Sequence, residues 1–361
     1  MLKLGQQKAT GYGRCTRGLA INCQRHELLF KLPFGLYIWT LYLDSIYVLF
    51  SDGCLFRSKA VCSLLVLSLF ASGCSATPQS VKSLGVQSSP LSSPSPLPVA
   101  LEQSTSGEAS GNADILQAIA PAVVVYLAET HTDAADHVAQ MEIVAALAAQ
   151  HEIAIALEMF QRPFQPVLEA YLAGELSEEQ LIAQSEYETR WGYDWEFYAP
   201  ILRYAKANQI PLIALNTPAE VTRKVAREGL ASLEGEDLDD IPPLADIDTE
   251  DPDYRQRLME VFKAHGGAGH SLEFENFFAA QVLWDETMAE HIVEQLTAEP
   301  TRQIIVLVGE GHIAYDHGIP SRVMRRLPQV AQVSVRLVPD EAEIEPDFAD
   351  FTWLTGAQTS E

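Results

Sequence analysis

Residues 123–131, VVVYLAETH, and 304–312, IIVLVGEGH, share one layout: five apolar residues, a small residue, then Glu, a spacer and His. A carboxylate beside an imidazole favours the imidazolium, whereas a divalent cation held by the same groups needs the neutral ring. Glu129, His131, Glu310 and His312 are therefore the first residues with chemistry to offer. Two further runs end in polar groups: IAIALEMF (153–160) carries Glu158 near its end, and PLIALNTP (211–218) carries Asn216. A helix cap is the plain alternative for any one of these. Two Glu-x-His copies, a third Glu and an Asn are more than capping requires.

A continuous Val- and Ile-rich run that stops abruptly is the pattern of a parallel strand buried on both faces. Such strands deliver their last residues to the carboxyl edge of the sheet, where open α/β folds bind ligands. The expected fold class is α/β: a mostly parallel central sheet flanked by helices, with a smaller helical insertion or lid. Glu129, His131, Glu158, Asn216 and His312 are expected around one pocket at its rim. Replacing either imidazole is expected to leave the fold largely intact, since neither belongs to the apolar core.

The elements between these strands follow from periodicity. Residues 134–150 predict a crossover helix with Val138, Met141, Val144, Ala145 and Ala148 inward and His137 solvated near its start. Ser177 with Gln180 forms a capping box, and Asp194 caps a helix running to Asn208. Residues 187–198, YETRWGYDWEFY, concentrate aromatics; Tyr187, Trp191, Tyr193 and Phe197 serve either as core or as the wall or lid of the rim pocket. Thr217 and Pro218 start a helix that Gly229 ends, and acidic, proline-broken 234–253 reads as an exposed loop. Helix 272–296 places Gln281 and Asp285 on its apolar stripe. Either Asp285 is buried and paired with His or Arg, or the helix is rotated and Asp285 is wet. Arg322, early in a short helix after Gly318 and Pro320, can hold a carboxylate through paired hydrogen bonds. Residues 333–338 predict the last core strand, and 347–354 an added edge strand.

All five cysteines lie within residues 1–74, so none beyond can form a disulfide, ligate metal or act as a nucleophile. Residues 57–74 have the basic, apolar and small-residue order of a signal peptide, and Ala-Ser-Gly-Cys at 71–74 resembles a bacterial lipobox, with Ala71 where Leu is usual. The expectation is a membrane-anchored lipoprotein of a bacterial cell envelope, lipidated at Cys74. Residues 1–56 are either a membrane segment, although Lys31, Pro33 and Asp44 interrupt it, or an extension never made because translation starts later, Leu55 being one candidate. Ser- and Pro-rich 75–112 predicts a flexible tether. The folded domain then spans 113–356, with helical insertions at about 161–210 and 219–270. The whole chain carries −25, and eight of its 24 Lys and Arg but only three of its 49 Asp and Glu precede Cys74, so the remainder carries −30. Such a balance argues against nucleic acid as a partner and against charge-driven binding to anionic lipid.

Together AETH with His137, EMF at 158–160, LNTP at 215–218, QVLWDETMA at 281–289, GEGH at 309–312 and GIPSR at 318–322 resemble the ChaN-like haem-binding lipoproteins, relatives of the Tiki and erythromycin-esterase proteins. The resemblance covers about 123–354. Ala128 stands where that family usually has Gly, and Glu310 where it often has Asn. It implies a lipid-anchored protein that binds haem or takes part in iron uptake, with Tyr187, Trp191, Tyr193 and Phe197 as the slot. The alternatives are a metal-dependent hydrolase, with Glu129, His131 and His312 on a divalent metal, and a non-catalytic surface lipoprotein. Expected partners are haem or another small molecule, the membrane through the anchor, and a second copy as a homodimer.

Overall fold

The structure, a computed structural model, describes residues 111–264, 266–267, 271–339 and 343–356. The extension, the signal peptide with Cys74, and nearly all of the tether lie outside the described residues. Six strands form one sheet in the order β3-β2-β4-β1-β5-β6: β1 (Val124–Glu129), β2 (Ile153–Gln161), β3 (Leu212–Asn216), β4 (Gln303–Gly309), β5 (Gln332–Val338) and β6 (Phe351–Leu354). Every pairing is parallel. The expected edge strand is real but short, and β1 and β4, the two related runs, lie side by side with Glu129 opposite Gly309.

Both faces are covered, which is why the central strands β1, β2 and β4 are apolar along most of their length. Val125, Leu127, Ile305 and Leu307 face α2 (Ala134–Ala148) and α6 (Trp195–Asn208). Val124, Tyr126, Ala128, Val306 and Val308 face α9 (Leu272–Ala298) through Met288, Ala289 and Ile292. The alternation places Glu129 on the α2/α6 side. A third cluster lies apart from the sheet, where the first half of α9 packs on α7 (Ala219–Glu228) and α8 (Pro252–Ala264) through Phe274, Phe278, Val225 and Leu258. Ile241 and Ile247 tuck into it, so the stretch read as an exposed loop is anchored at two points. Among the described residues no helix is long and apolar enough to cross a membrane.

Glu158 lies near the end of β2 as expected, where the register with β3 shifts between Leu157 and Gln161. One local expectation is overturned. In α2 the buried face carries Asp136, His137, Gln140, Ile143 and Leu147, while Val138 is 68% exposed. The helix turns its polar residues inward because the end of β1 offers them partners.

The remaining elements are α1 (Asn112–Ile119), α3 (Gln165–Leu172), α4 (Glu178–Gln184), α5 (Tyr187–Arg190) and α10 (Ile319–Arg326). Helices α3 to α6 make up the first insertion.

Candidate functional site

Gly309, the last residue of β4, is the point about which Glu129, His131 and Glu158 gather. Its N–H donates to Glu158 Oε2 at 2.7 Å, Glu129 is its partner across the sheet, and a Cβ built on it would lie 2.8 Å from Cε1 and Nε2 of His131. The His131 Nδ1–H donates to Glu129 Oε1 at 2.8 Å. Glu129 also accepts from the Tyr198 hydroxyl at 2.6 Å and from Gln140 Nε2 at 2.6 Å, with His137 Nδ1 3.5 Å away. His137 in turn reaches the His131 carbonyl at 3.2 Å. The histidine read as solvated is thus buried, and it orients the loop that carries His131.

His312 stands between two carboxylates. Its Nδ1 lies 2.6 Å from Asp285 Oδ1 and its Nε2 3.3 Å from Glu158 Oε1. Asp285 accepts from the Tyr254 hydroxyl at 2.6 Å through its other oxygen, and the Gln281 amide lies 3.2 Å from Nδ1. A fully buried carboxylate is costly unless paired, and the imidazole and phenol supply that pairing for Asp285.

These contacts set the charges. Burial opposes ionisation of Glu158, but the charge and hydrogen bond of His312, the charge of His131 and the Gly309 N–H prevail and hold its pKa down at about 2. Burial likewise opposes a charged His312, yet Glu158 and Asp285 push it up to about 10. Glu129 is lowered and His131 raised in the same manner, burial being outweighed by their mutual hydrogen bond and by neighbouring charge. The contacts therefore favour a charged imidazole beside a carboxylate in both pairs, Glu129 with His131 and Glu158 with His312.

Other residues singled out by the sequence go elsewhere. Glu310 does not join His312: the two sit in a 3-10 turn over 310–312, where residues two apart point a third of a turn from each other's direction. Glu310 instead accepts from Arg336 Nε at 2.8 Å on the β5 side. Asn216 serves the backbone, donating to the Glu158 carbonyl at 3.0 Å and accepting from Thr217 N–H. Arg322 has Nε 3.3 Å from Glu286 Oε1 and gives Nη1 to the carbonyls of His317 and Gly318, so it makes no paired fork on a carboxylate. Tyr198, Tyr254 and Gly309 were not legible as site residues. Gln140 carried one signal, its place one helical turn after His137.

The aromatic segment covers His131. Trp191 meets its ring edge-on at 4.8 Å and Tyr193 lies against it at 4.9 Å, both half-buried. Phe197 stacks on His137 at 4.8 Å. Tyr187 is set deeper, against Trp195 and Phe160, within the helical layer. The Tyr193 phenol holds its proton more tightly than usual, through burial first and then the charges of Glu158 and Glu129.

A divalent metal does not fit the donors as they stand. Among the described residues no three His, Cys, Asp or Glu side chains are arranged to hold one. A cation bound there would have to displace the protons that the neighbouring carboxylates favour on His131 and His312. Haem asks for an apolar slot and an axial donor. Trp191, Tyr193 and Phe197 present a half-buried aromatic face, and the Tyr193 phenol is an oxygen donor within it, so the residues present fit that group.

The chain is 28% identical over 260 residues to the chloroplastic protein RETICULATA-RELATED 5 of Arabidopsis thaliana, covering 65% of this chain and 34% of that protein. It spans about a third of the length of this curated relative. Its fold is similar to ChaN of Campylobacter jejuni, described with cofacial haem binding: TM-score 0.53, 16% identity, 67% of this chain and 90% of that one. A mutant of erythromycin esterase EreC in its open conformation is more distant, with TM-score 0.39 and 14% identity over 65% of this chain and 77% of that one. Residues 115–323 match the family described as haem-binding uptake, Tiki superfamily, ChaN, and the chain belongs to that family.

Proposed function

We propose that the protein binds haem or a related iron porphyrin at the carboxyl edge of its sheet and takes part in haem or iron uptake as a lipid-anchored protein. The observation that carries this is the aromatic face of Trp191, Tyr193 and Phe197, packed directly on His131 and His137 at the strand ends. Family membership and the haem-binding ChaN relative support it. Bound haem supplies a redox-capable iron; this chain's residues supply the surface that orients it. Trp191 and Phe197 offer flat apolar area, and the Tyr193 phenol would supply an oxygen donor to hold the group. Burial and the charges of Glu158 and Glu129 hold the Tyr193 proton, so holding the group through this oxygen would require that proton to leave.

Haemin titration of the purified protein tests this. A Soret shift that weakens in Tyr193→Phe and Trp191→Ala, and strengthens as pH rises, is expected. No Soret shift at any pH would sink the haem reading, and a shift indifferent to Tyr193 would sink the ligand assignment.

A further inference from the structure

Glu129, His131, Glu158 and His312 are between 1% and 6% exposed, so a ligand that reaches them must first displace what covers them. Part of that cover is the excursion between α4 and α6. Helix α5 is a single turn, and left-handed backbone bounds it on both sides, at Glu186 (φ 54°) and Gly192 (φ 80°). Such residues are natural pivots: the conformation disfavours a side chain at Glu186, and glycine at 192 adopts many others as readily. Immediately after α5 come Trp191 and Tyr193, the two rings lying on His131.

The unit is latched from outside. Arg190 gives Nη1 and Nη2 to the Glu220 carboxylate at 2.8 and 2.9 Å, Nε to Glu186 at 2.8 Å, and Nη1 to Gln161 Oε1 at 2.7 Å. Glu220 opens α7 and Gln161 ends β2, so this one guanidinium ties the excursion to the sheet edge. The Glu186 and Glu220 side chains are 54% and 62% exposed, and water and salt compete for the latch. Inside, Tyr187 is 2% exposed while its hydroxyl has no hydrogen-bond partner, a group that outward movement would hydrate.

We infer that residues 186–193 form a lid over His131, hinged at Glu186 and Gly192 and latched by Arg190 on Glu220, and that its opening frees the Trp191 and Tyr193 faces, packed on His131 when closed, for the porphyrin. The admitted ligand rests on the function proposed above; the lid itself does not.

Hydrogen exchange on the full chain separates the two. In Glu220→Gln, and independently in Gly192→Ala, exchange across 186–193 is expected to quicken by about fivefold or more while peptides of β4 and α9 stay unchanged. Raising ionic strength from about 0.05 to about 0.5 M should act on the wild type in the same direction. Stopped-flow mixing with haemin should then show faster association in both variants. Unchanged exchange across 186–193 in both variants overturns the lid, and so does an increase shared by the whole chain. Exchange that responds while no form binds haemin upholds the lid and sinks the haem reading. Haemin association that stays equally fast while exchange responds overturns the gating role.

Discussion

The His131 imidazole crosses β4 directly over Gly309, so closely that a methyl group there would stand 2.8 Å from two ring atoms. The backbone of Gly309 (φ −64°) is open to any residue; the space above it is what requires glycine. Gly309→Ala should therefore displace the ring from Glu129 and cost about 1–3 kcal/mol, as overpacking of a closed site does. Denaturant unfolding gives the cost, and NMR titration of His131 should show its raised pKa falling toward the ordinary value. A variant of full stability with an unaltered His131 titration would contradict the placement of this ring.

His312→Ala leaves Glu158 and Asp285 buried without their shared cation, and should destabilise the fold by about 3–5 kcal/mol. This outcome would run against the expectation that imidazole replacement spares the fold, because His312, though outside the apolar core, is paired with two buried carboxylates. Asp285→Asn keeps the shape and should cost less. In the double variant the two losses should be less than additive, with a coupling of about 0.5–3 kcal/mol. Urea unfolding of the four proteins measures this, and strict additivity would deny the contact.

Stability should decline on both sides of the weakly acid range. Glu158 is lowered from 4.5 to about 2, so its contribution is present above pH 4.5 and lost as pH falls through about 2. His312 is raised from 6.5 to about 10, so its contribution is complete below pH 6.5 and lost as pH rises through about 10. Asp136 starts the decline at lower pH: burial raises it from 3.8 to about 8, so the folded state keeps a proton that the unfolded chain gives up, and stability falls as pH rises from 3.8 to about 8. Asp136→Asn retains an acceptor for the Thr130 N–H, and should raise Tm at pH 9 relative to the wild type more than at pH 4. A wild-type Tm that climbs from pH 6.5 to pH 9 would refute these assignments.

For the amino terminus we propose processing at Cys74. Mass spectrometry of the native protein should find a lipid-modified peptide beginning at Cys74 and none from residues 1–50. Recovery of peptides from residues 1–50 would count against both the processing and the later translation start.

The strands, their parallel arrangement and the rim they share were legible in the sequence, because an apolar run and its abrupt end are local properties of the chain. That logic carried Glu129, His131, Glu158 and His312 to one place. It did not separate His312 from Glu310, since the tight turn that follows β4 sends neighbours in different directions and leaves no mark on hydropathy. Nor did it reveal which partners complete the site. Tyr198 reaches Glu129 across 69 residues and Tyr254 reaches Asp285 across 31, each from an insertion whose return path only packing decides. The inward turn of His137 and Gln140 has the same origin: α2 rotates to satisfy the buried Glu129, and exposes Val138, which periodicity alone had placed in the core.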